Sequence, residues 1–292
     1  MNLIKPQSLN KGDTVEIIAP SGAVDKDMIT RSKVFFEKLG YKVKYGKHIF
    51  ENYRYMSAND EARLEDLHNA FLSDETKAIV CARGGYGAIR LADKLDYKIF
   101  RNNPKIFCGY SDITALSLLM LEKSDLMTFS GPMAQSDFSD DNPNEYTTQS
   151  FFEVISEKYS LYNSKNIIKD GSASGIVWGG NLSTIVSLCG TDFIPDEKFI
   201  FFLEDVNEPV YKLDKMLNQL INIPKFRKNI TAAAFGEFLN VDNEQWLLDL
   251  EEEFASVLNI PAAAGFKFSH GKEKQTIPVG INAEFNGTLK IV

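Results

Sequence analysis

The sequence predicts an α/β fold: an N-terminal parallel sheet with helices on both faces, followed by a smaller mixed α/β domain. Three observations predict it. Short apolar runs alternate with helical apolar patterns through the first part of the chain, the composition turns polar between Ser136 and Lys165, and the end reads as a hairpin. A βαβα alternation makes consecutive strands parallel, because each crossover helix packs back onto the sheet it left. At 292 residues the chain exceeds the usual size of one core, so two domains are expected, 1–140 and 166–292, joined by a linker over 141–165.

The elements follow in order. Asp13 to Ala19 is β-rich and closes on Pro20-Ser21-Gly22; Asp25 to Leu39 then carries Met28, Val34, Phe35 and Leu39 at helical spacing before Gly40. Tyr41 to Tyr45 reads as a second strand. Asn59-Asp60-Glu61 caps a helix whose core face is Leu64, Leu67 and Phe71. Strand Lys77 to Ala82, helix Ala88 to Leu95, strand Lys105 to Cys108 and a helix after Ser111 complete the alternation. The polar stretch around Asp140-Asp141-Asn142-Pro143 is the linker, with one helix near Tyr146 to Lys158. Beyond it, strands are expected near 175–178, 199–204, 231–236 and 262–268, and helices near 182–189, 210–221 and 244–258. Ile281 to Phe285 and Thr288 to Val292 flank Asn286-Gly287, a strong hairpin signal.

Composition bounds the function. A formal charge of -8 with no basic run argues against nucleic acid or an anionic membrane surface and favours a small-molecule partner. The N-terminus has no apolar signal region, and no apolar segment reaches the roughly 18 residues of a membrane helix, so a soluble, cytoplasmic protein is expected. Cys81, Cys108 and Cys189 each lie in an apolar run without metal or redox spacing and read as buried free thiols. No cofactor and no metal are expected.

The chemistry centres on Phe107-Cys108-Gly109-Tyr110-Ser111-Asp112-Ile113-Thr114. An apolar run ends in a glycine two residues before a serine, and Ile113, Leu116, Leu119 and Met120 continue at helical spacing. A strand, sharp turn and helix present a serine hydroxyl at a helix N-terminus, where backbone N–H groups can stabilise an oxyanion. Ser111 is therefore the candidate nucleophile, although Ile113 stands where the second glycine of G-x-S-x-G would be. Arg83-Gly84-Gly85-Tyr86-Gly87 also joins a strand to a helix and fits no nucleotide-binding pattern. Two readings stand: a plain tight turn, or an oxyanion site made by the N–H groups of Gly85 and Asp112. Of the three histidines, His48, His68 and His270, the last lies in a loop beside Gly271 and is the best base, though an ordinary loop histidine fits as well. Glu204 ends the apolar strand Phe201-Phe202-Leu203, where a charge without purpose would be costly, and is the candidate for orienting the imidazole; Asp205 alternates to the opposite face.

Taken together, Ile18-Ala19-Pro20-Ser21-Gly22, Arg83 to Gly87, Gly109 to Leu116, Gly179-Gly180-Asn181-Leu182, Phe202 to Val206 and Ser269-His270-Gly271 resemble the L,D-carboxypeptidase family, also called the muramoyltetrapeptide carboxypeptidase family. The resemblance spans nearly the whole chain. It implies a Ser-Glu-His triad on Ser111, Glu204 and His270, with Gly85 and Asp112 as oxyanion donors. It further implies an N-terminal domain similar to class I glutamine amidotransferases, a catalytic site between the two domains, and a homodimer. Arg83, Trp178 and Asn181 are carried as substrate-binding residues, Trp178 because it could stack on a nucleobase, although a core tryptophan ending a strand is the commoner case. The chain departs from the family's pattern at Asn207 and Ser269, where glycine is usual. The activity implied is metal-free removal of the terminal D-alanine from cytosolic murein tetrapeptides in peptidoglycan recycling. Three alternatives remain: hydrolysis of peptidyl-nucleotide antibiotics of the microcin type; a zinc carboxypeptidase using His48-Ile49-Phe50-Glu51 with His68 or His270; and a non-catalytic binding protein.

Overall fold

The computed structural model describes residues 2–268 and 270–292. The N-terminal half contains β1 (Thr14–Ile18), α1 (Lys26–Lys38), β2 (Lys42–Tyr45), α2 (Asp60–Leu72), β3 (Thr76–Cys81), α3 (Tyr97–Asn102), β4 (Ile106–Cys108), α4 (Thr114–Ser124) and β5 (Thr128–Ser130). These strands pair in parallel in the order β5-β4-β3-β1-β2, the doubly wound arrangement. In such a sheet the connections leave β1 and β3 in opposite directions, opening a crevice at their carboxyl ends. The turns after β1, β3 and β4, which carry Ser21, Gly84-Gly85 and Ser111, all lie at that end. Strands β1 and β4 and most of β3 are buried, which explains why their sequences are apolar runs rather than alternating patterns.

The stretch read as a linker is folded onto this half. It holds α5 (Ala134–Asp137) and α6 (Glu145–Ile155), and Phe138, Phe151 and Phe152 pack with Phe35, Phe36 and Tyr41 from α1 and its exit turn. The aromatic residues decide the matter, since their burial outweighs the polar composition around them.

A second, mixed sheet follows, built from β6 (Tyr162–Asn163), β7 (Asn166–Lys169), β8 (Ala173–Asn181), β9 (Phe199–Val206), β10 (Ile230–Leu239) and β11 (Ala262–Ala264), with α7 (Leu182–Ser187), α8 (Val210–Ile221), α9 (Pro224–Asn229) and α10 (Glu244–Leu258) between them. Strands β8, β9, β10 and β11 run parallel in that order. The chain then returns to the first sheet, where β12 (Ile277–Val279) pairs antiparallel with β5, before β13 (Asn282–Phe285) and β14 (Thr288–Ile291) close the second sheet as the expected hairpin. The segment 166–292 is thus not confined to its own unit. Helix α4 is buried almost all round, because α7 and β8 of the second half pack against the face that the first sheet leaves open.

Two expected elements are shorter than read. The helix over Ala88–Leu95 is a single 3-10 turn, Ala88–Leu91, whose first N–H is spent on a side chain described below. The strand over 262–268 ends at Ala264, because Gly265 takes a left-handed conformation (φ 79°) and turns Phe266 and Phe268 into the core. Cys81 and Cys108 are buried as expected, whereas Cys189 is partly exposed.

Candidate active site

Ser111 sits in the turn between β4 and α4 at φ 60°, a left-handed conformation rare for a residue with a side chain. Such strain persists only where the surroundings over-determine it, and here the segment is gripped from both sides. Behind it, Thr114 Oγ1 accepts the N–H of Asn181 at 3.2 Å, docking the end of β8 onto the start of the helix. In front of it lies the glycine loop. A Cβ at Gly84 would meet Ser111 Cβ at 2.7 Å and Oγ at 2.8 Å, so the loop backbone runs directly over the serine side chain.

The glycine loop is held by two buried charged residues. Asp112 Oδ2 accepts the Ser21 hydroxyl at 2.5 Å and the Ala88 N–H at 2.8 Å. Burial raises the Asp112 pKa, against the opposing effects of these bonds and the Arg63 charge. Arg63, on α2 and almost wholly buried, donates to the carbonyls of Pro20, Ala58 and Gly87 and pairs with Asp60 at 2.6 Å. Gly22 N–H donates to Gly84 O at 3.2 Å. The loops after β1 and β3 are therefore locked to each other and to the residue that follows Ser111. Arg63 carried no sequence signal: a basic residue on the core face of a helix reads as an exception until its carbonyl partners are seen. Arg83 is half-buried and donates to Ala23 O at 3.2 Å, bracing the same corner.

The second half brings Glu204 and His270 together. Glu204 is buried on β9, and its Oε2 lies 2.7 Å from His270 Nδ1. The approach requires Gly236 on β10, where a Cβ would stand 2.1 Å from Phe268 O and 3.1 Å from Glu204 Cβ. Without a side chain there, the Phe268 carbonyl, two residues before His270, lies directly against β10. The imidazole packs edge-on to Tyr110, the neighbour of Ser111, with ring centroids 4.9 Å apart. Burial pushes the His270 pKa down, but the hydrogen bond and charge of Glu204 and the charge of Asp205 outweigh it, against opposition from Lys274, and hold it above that of a free imidazole. Beside this ring opens a cavity of about 520 Å³, lined by Tyr110, Asp137, Asp140, Thr147, His270 and Lys274 among others. Ser269 of the quoted Ser269-His270-Gly271 motif lies outside the described residues.

Two side chains, Trp178 and Asn181, are placed differently from their sequence reading. Trp178 is 0% exposed, packed among Phe193, Phe199, Phe201 and Phe226, so neither face is open to a nucleobase. Asn181 is also buried: its amide donates to Asp205 Oδ1 at 3.0 Å, and its carbonyl caps α7 by accepting from Thr184 N. Through these bonds it ties the end of β8 to β9 and to the start of α7. Asp205 points away from His270 to Asn181 and Ser183 N–H, as strand alternation requires. His48 and His68, two histidines of the zinc reading, have partners of their own. Both ring nitrogens of His48 meet carboxylates, Glu51 at 2.6 Å and Glu65 at 3.2 Å, while His68 Nε2 accepts the Asp96 N–H and packs on Phe100.

A doubly wound sheet with a strained serine at its carboxyl end, whose neighbour Tyr110 packs on the histidine of a Glu-His pair from the second half, marks a hydrolase class rather than a nucleotide-binding one. Residues 15–131 match the LD-carboxypeptidase N-terminal domain and residues 174–285 the LD-carboxypeptidase C-terminal domain. The chain belongs to the LD-carboxypeptidase family and is a serine-type carboxypeptidase. It is 37% identical to the probable murein peptide carboxypeptidase of Bacillus subtilis, over 98% of this chain and 92% of that one. It is 25% identical to the microcin C7 self-immunity protein MccF of Escherichia coli, over 92% and 89% of the two chains. Among solved structures, an MccF-like protein from Bacillus anthracis superposes with a TM-score of 0.91 at 28% identity, covering 99% of both chains. A muramoyltetrapeptide carboxypeptidase from Oxalobacter formigenes gives 0.86 at 29%, covering 95% and 97%. Among the described residues no helix is long and apolar enough to cross a membrane.

Proposed function

We propose that the chain removes the terminal D-alanine from murein tetrapeptides in the cytoplasm, using Ser111 as nucleophile, His270 as general base and acid, and Glu204 as the carboxylate that orients the imidazole. The observation that carries this reading is the 2.7 Å contact between Glu204 Oε2 and His270 Nδ1, which leaves Nε2 as the nitrogen for proton transfer. In the first step His270 Nε2 takes the Ser111 proton as Oγ attacks the scissile carbonyl carbon. The N–H groups of Gly85 and Asp112 receive the oxyanion. Collapse of the tetrahedral intermediate breaks the C–N bond, and Nε2 returns the proton to the departing D-alanine amine. A water molecule, deprotonated by the same nitrogen, then hydrolyses the acyl-enzyme and regenerates the serine.

The murein reading is supported by the relative in Bacillus subtilis and the structure from Oxalobacter formigenes, whose names state that activity. The microcin reading rested on Trp178 for its residue-level support, and that side chain is buried. We further infer that the N-terminal unit is built like that of class I glutamine amidotransferases, that the catalytic site lies between the two halves, and that the chain acts as a homodimer in peptidoglycan recycling. Tyr211 of α8 and Trp246 of α10 are exposed and so available to a second copy.

Incubation of the purified protein with a defined murein tetrapeptide, followed by mass spectrometry, tests the reading. Free D-alanine and the tripeptide should appear, and Ser111→Ala should cut turnover by several orders of magnitude with peptide binding retained. Retention of more than about a tenth of the activity would remove Ser111 from the nucleophile's role.

A further inference from the structure

His270 belongs to the second half of the chain, yet the loop that carries it is fastened to the first. Lys274 Nζ lies 2.7 Å from Asp137 Oδ1 on α5, donates to Gly271 O at 2.6 Å, and stands 5.2 Å from the centroid of the Tyr110 ring. The other Asp137 oxygen accepts the Met133 N–H at 2.9 Å, so the carboxylate is itself fixed. Both members are nearly buried, at 8% and 6% side-chain exposure. Around this pair, Lys274 N–H donates to Thr147 Oγ1 at 2.8 Å, that hydroxyl donates to Lys272 O at 3.2 Å, and Thr276 N–H donates to Ser150 Oγ at 2.9 Å. Residues 271–276 are thus held by α5 and α6.

Burying an ion pair is not an economical way to stabilise a protein, since an apolar pair of similar volume is often as stable or more so. In some proteins a buried pair instead selects one arrangement of the elements that bear it. Here the elements are the histidine loop and the face of the N-terminal half that displays Tyr110.

We propose that Lys274, anchored on Asp137, is a positioning residue for His270: the pair fixes the 270–274 loop across the junction of the two halves and holds the imidazole against Tyr110, beside Ser111. This rests on the Ser111–His270–Glu204 reading above. It also has an electrostatic consequence. The charged and titratable groups that act on the imidazole are Glu204, bonded to it, Asp205 on the opposite face of β9, Tyr110 on the turn after β4, Lys274 on its own loop, and Asp137 behind Lys274. Lys274 is the cation in that set, and Asp137 partly neutralises it.

The test combines the titration of His270 with turnover of the murein tetrapeptide. The chain has three histidines, so their ring resonances can be followed by NMR and assigned with His270→Ala. Lys274→Met removes the cation and leaves Asp137 unpaired, so the His270 titration should move to higher pH; Asp137→Asn should move it lower. Turnover should fall on the order of 10- to 100-fold in Lys274→Met, with KM changed less than about threefold, because a misplaced base costs rate more than binding. The double variant Asp137→Asn/Lys274→Met, which buries no unpaired charge, keeps the question open to measurement should either single variant fold poorly. It should titrate near the wild type yet remain slow. Titrations that move in the same direction or not at all, or a folded double variant with wild-type turnover, would overturn the proposal. Activity surviving in Ser111→Ala or His270→Ala would instead count against the triad reading, a separate result.

Discussion

The Ser21 hydroxyl donates to Asp112 Oδ2 at 2.5 Å, and the same oxygen accepts the Ala88 N–H at 2.8 Å. One carboxylate, adjacent to Ser111 in sequence, therefore fastens the turn after β1 and the glycine loop after β3 to the turn that presents the serine. Asp112→Ala leaves its own backbone N–H in place and removes only this clamp. We expect turnover to fall on the order of 100-fold with KM little changed, since loop geometry rather than binding is lost. The buried Ala88 N–H and Ser21 hydroxyl lose their acceptor, which should cost about 1–3 kcal/mol of stability by urea unfolding. Ser21→Ala removes one of the two donors and should cost less, and the double variant should be no worse than Asp112→Ala alone. Wild-type turnover in Asp112→Ala would show that the loop holds its shape without the clamp.

Gly84→Ala places a methyl group where Ser111 Cβ and Oγ already stand, 2.7 and 2.8 Å away. Gly84 does not have a positive φ, so the substitution strains contacts rather than backbone. Either the serine leaves its rotamer or the loop moves off it. The expected outcome is a loss of at least about 100-fold in turnover in a protein whose circular dichroism is unchanged. An active Gly84→Ala enzyme would mean the serine has room that these contacts deny it.

The long periodic elements were legible in the sequence. Helices α8 and α10 occupy 210–221 and 244–258, the ranges their spacing predicts, and the Asn286-Gly287 hairpin is in place. What was hidden is non-local. Thr128-Phe129-Ser130 is too short to announce a strand, and β12 reaches it only after the chain has crossed the second sheet. Sequence leaves Trp178 between a core position, the commoner case, and a stacking surface; the packing of Phe193, Phe199, Phe201 and Phe226 shows that it is core. Ser111, Glu204 and His270 could be picked out as candidates from turns and strand ends. Lys274, Asp137 and Arg63 could not, because their meaning lies in carbonyls and carboxylates far away in sequence.

The Glu204–His270 contact fixes a pH dependence. In the proposed triad the neutral imidazole accepts the serine proton, and the His270 pKa is held above the ordinary 6.5, so the acid limb of kcat/KM should lie above that pH. Glu204→Gln keeps a hydrogen-bond acceptor but removes the charge that opposes burial. The limb should then move to lower pH, while turnover at the plateau falls, though less than in His270→Ala. A limb that stays where it was would separate the observed titration from His270.

Glu251 tests the electrostatics of the second half independently of catalysis. It lies on α10, 3% exposed, with Oε2 buried and without a hydrogen-bond partner among the described residues, and burial pushes its carboxyl up to about 8. The sign follows from proton linkage. Below the unfolded value near 4.5 both states hold the proton and Glu251 adds no pH dependence. Between that value and about 8 the unfolded chain has released its proton while the folded chain keeps it, so stability falls as pH rises; above about 8 the loss is complete. Other buried acids contribute slopes of their own, Asp66 and Glu122 among them, so the quantity to measure is the difference between variant and parent. Glu251→Gln retains the shape and cannot ionise. Its stability relative to the parent should therefore rise with pH, by as much as a few kcal/mol between pH 4.5 and pH 8, in urea unfolding at several pH values. A difference independent of pH over that range would mean that the carboxyl ionises in the folded protein as it does in the unfolded chain.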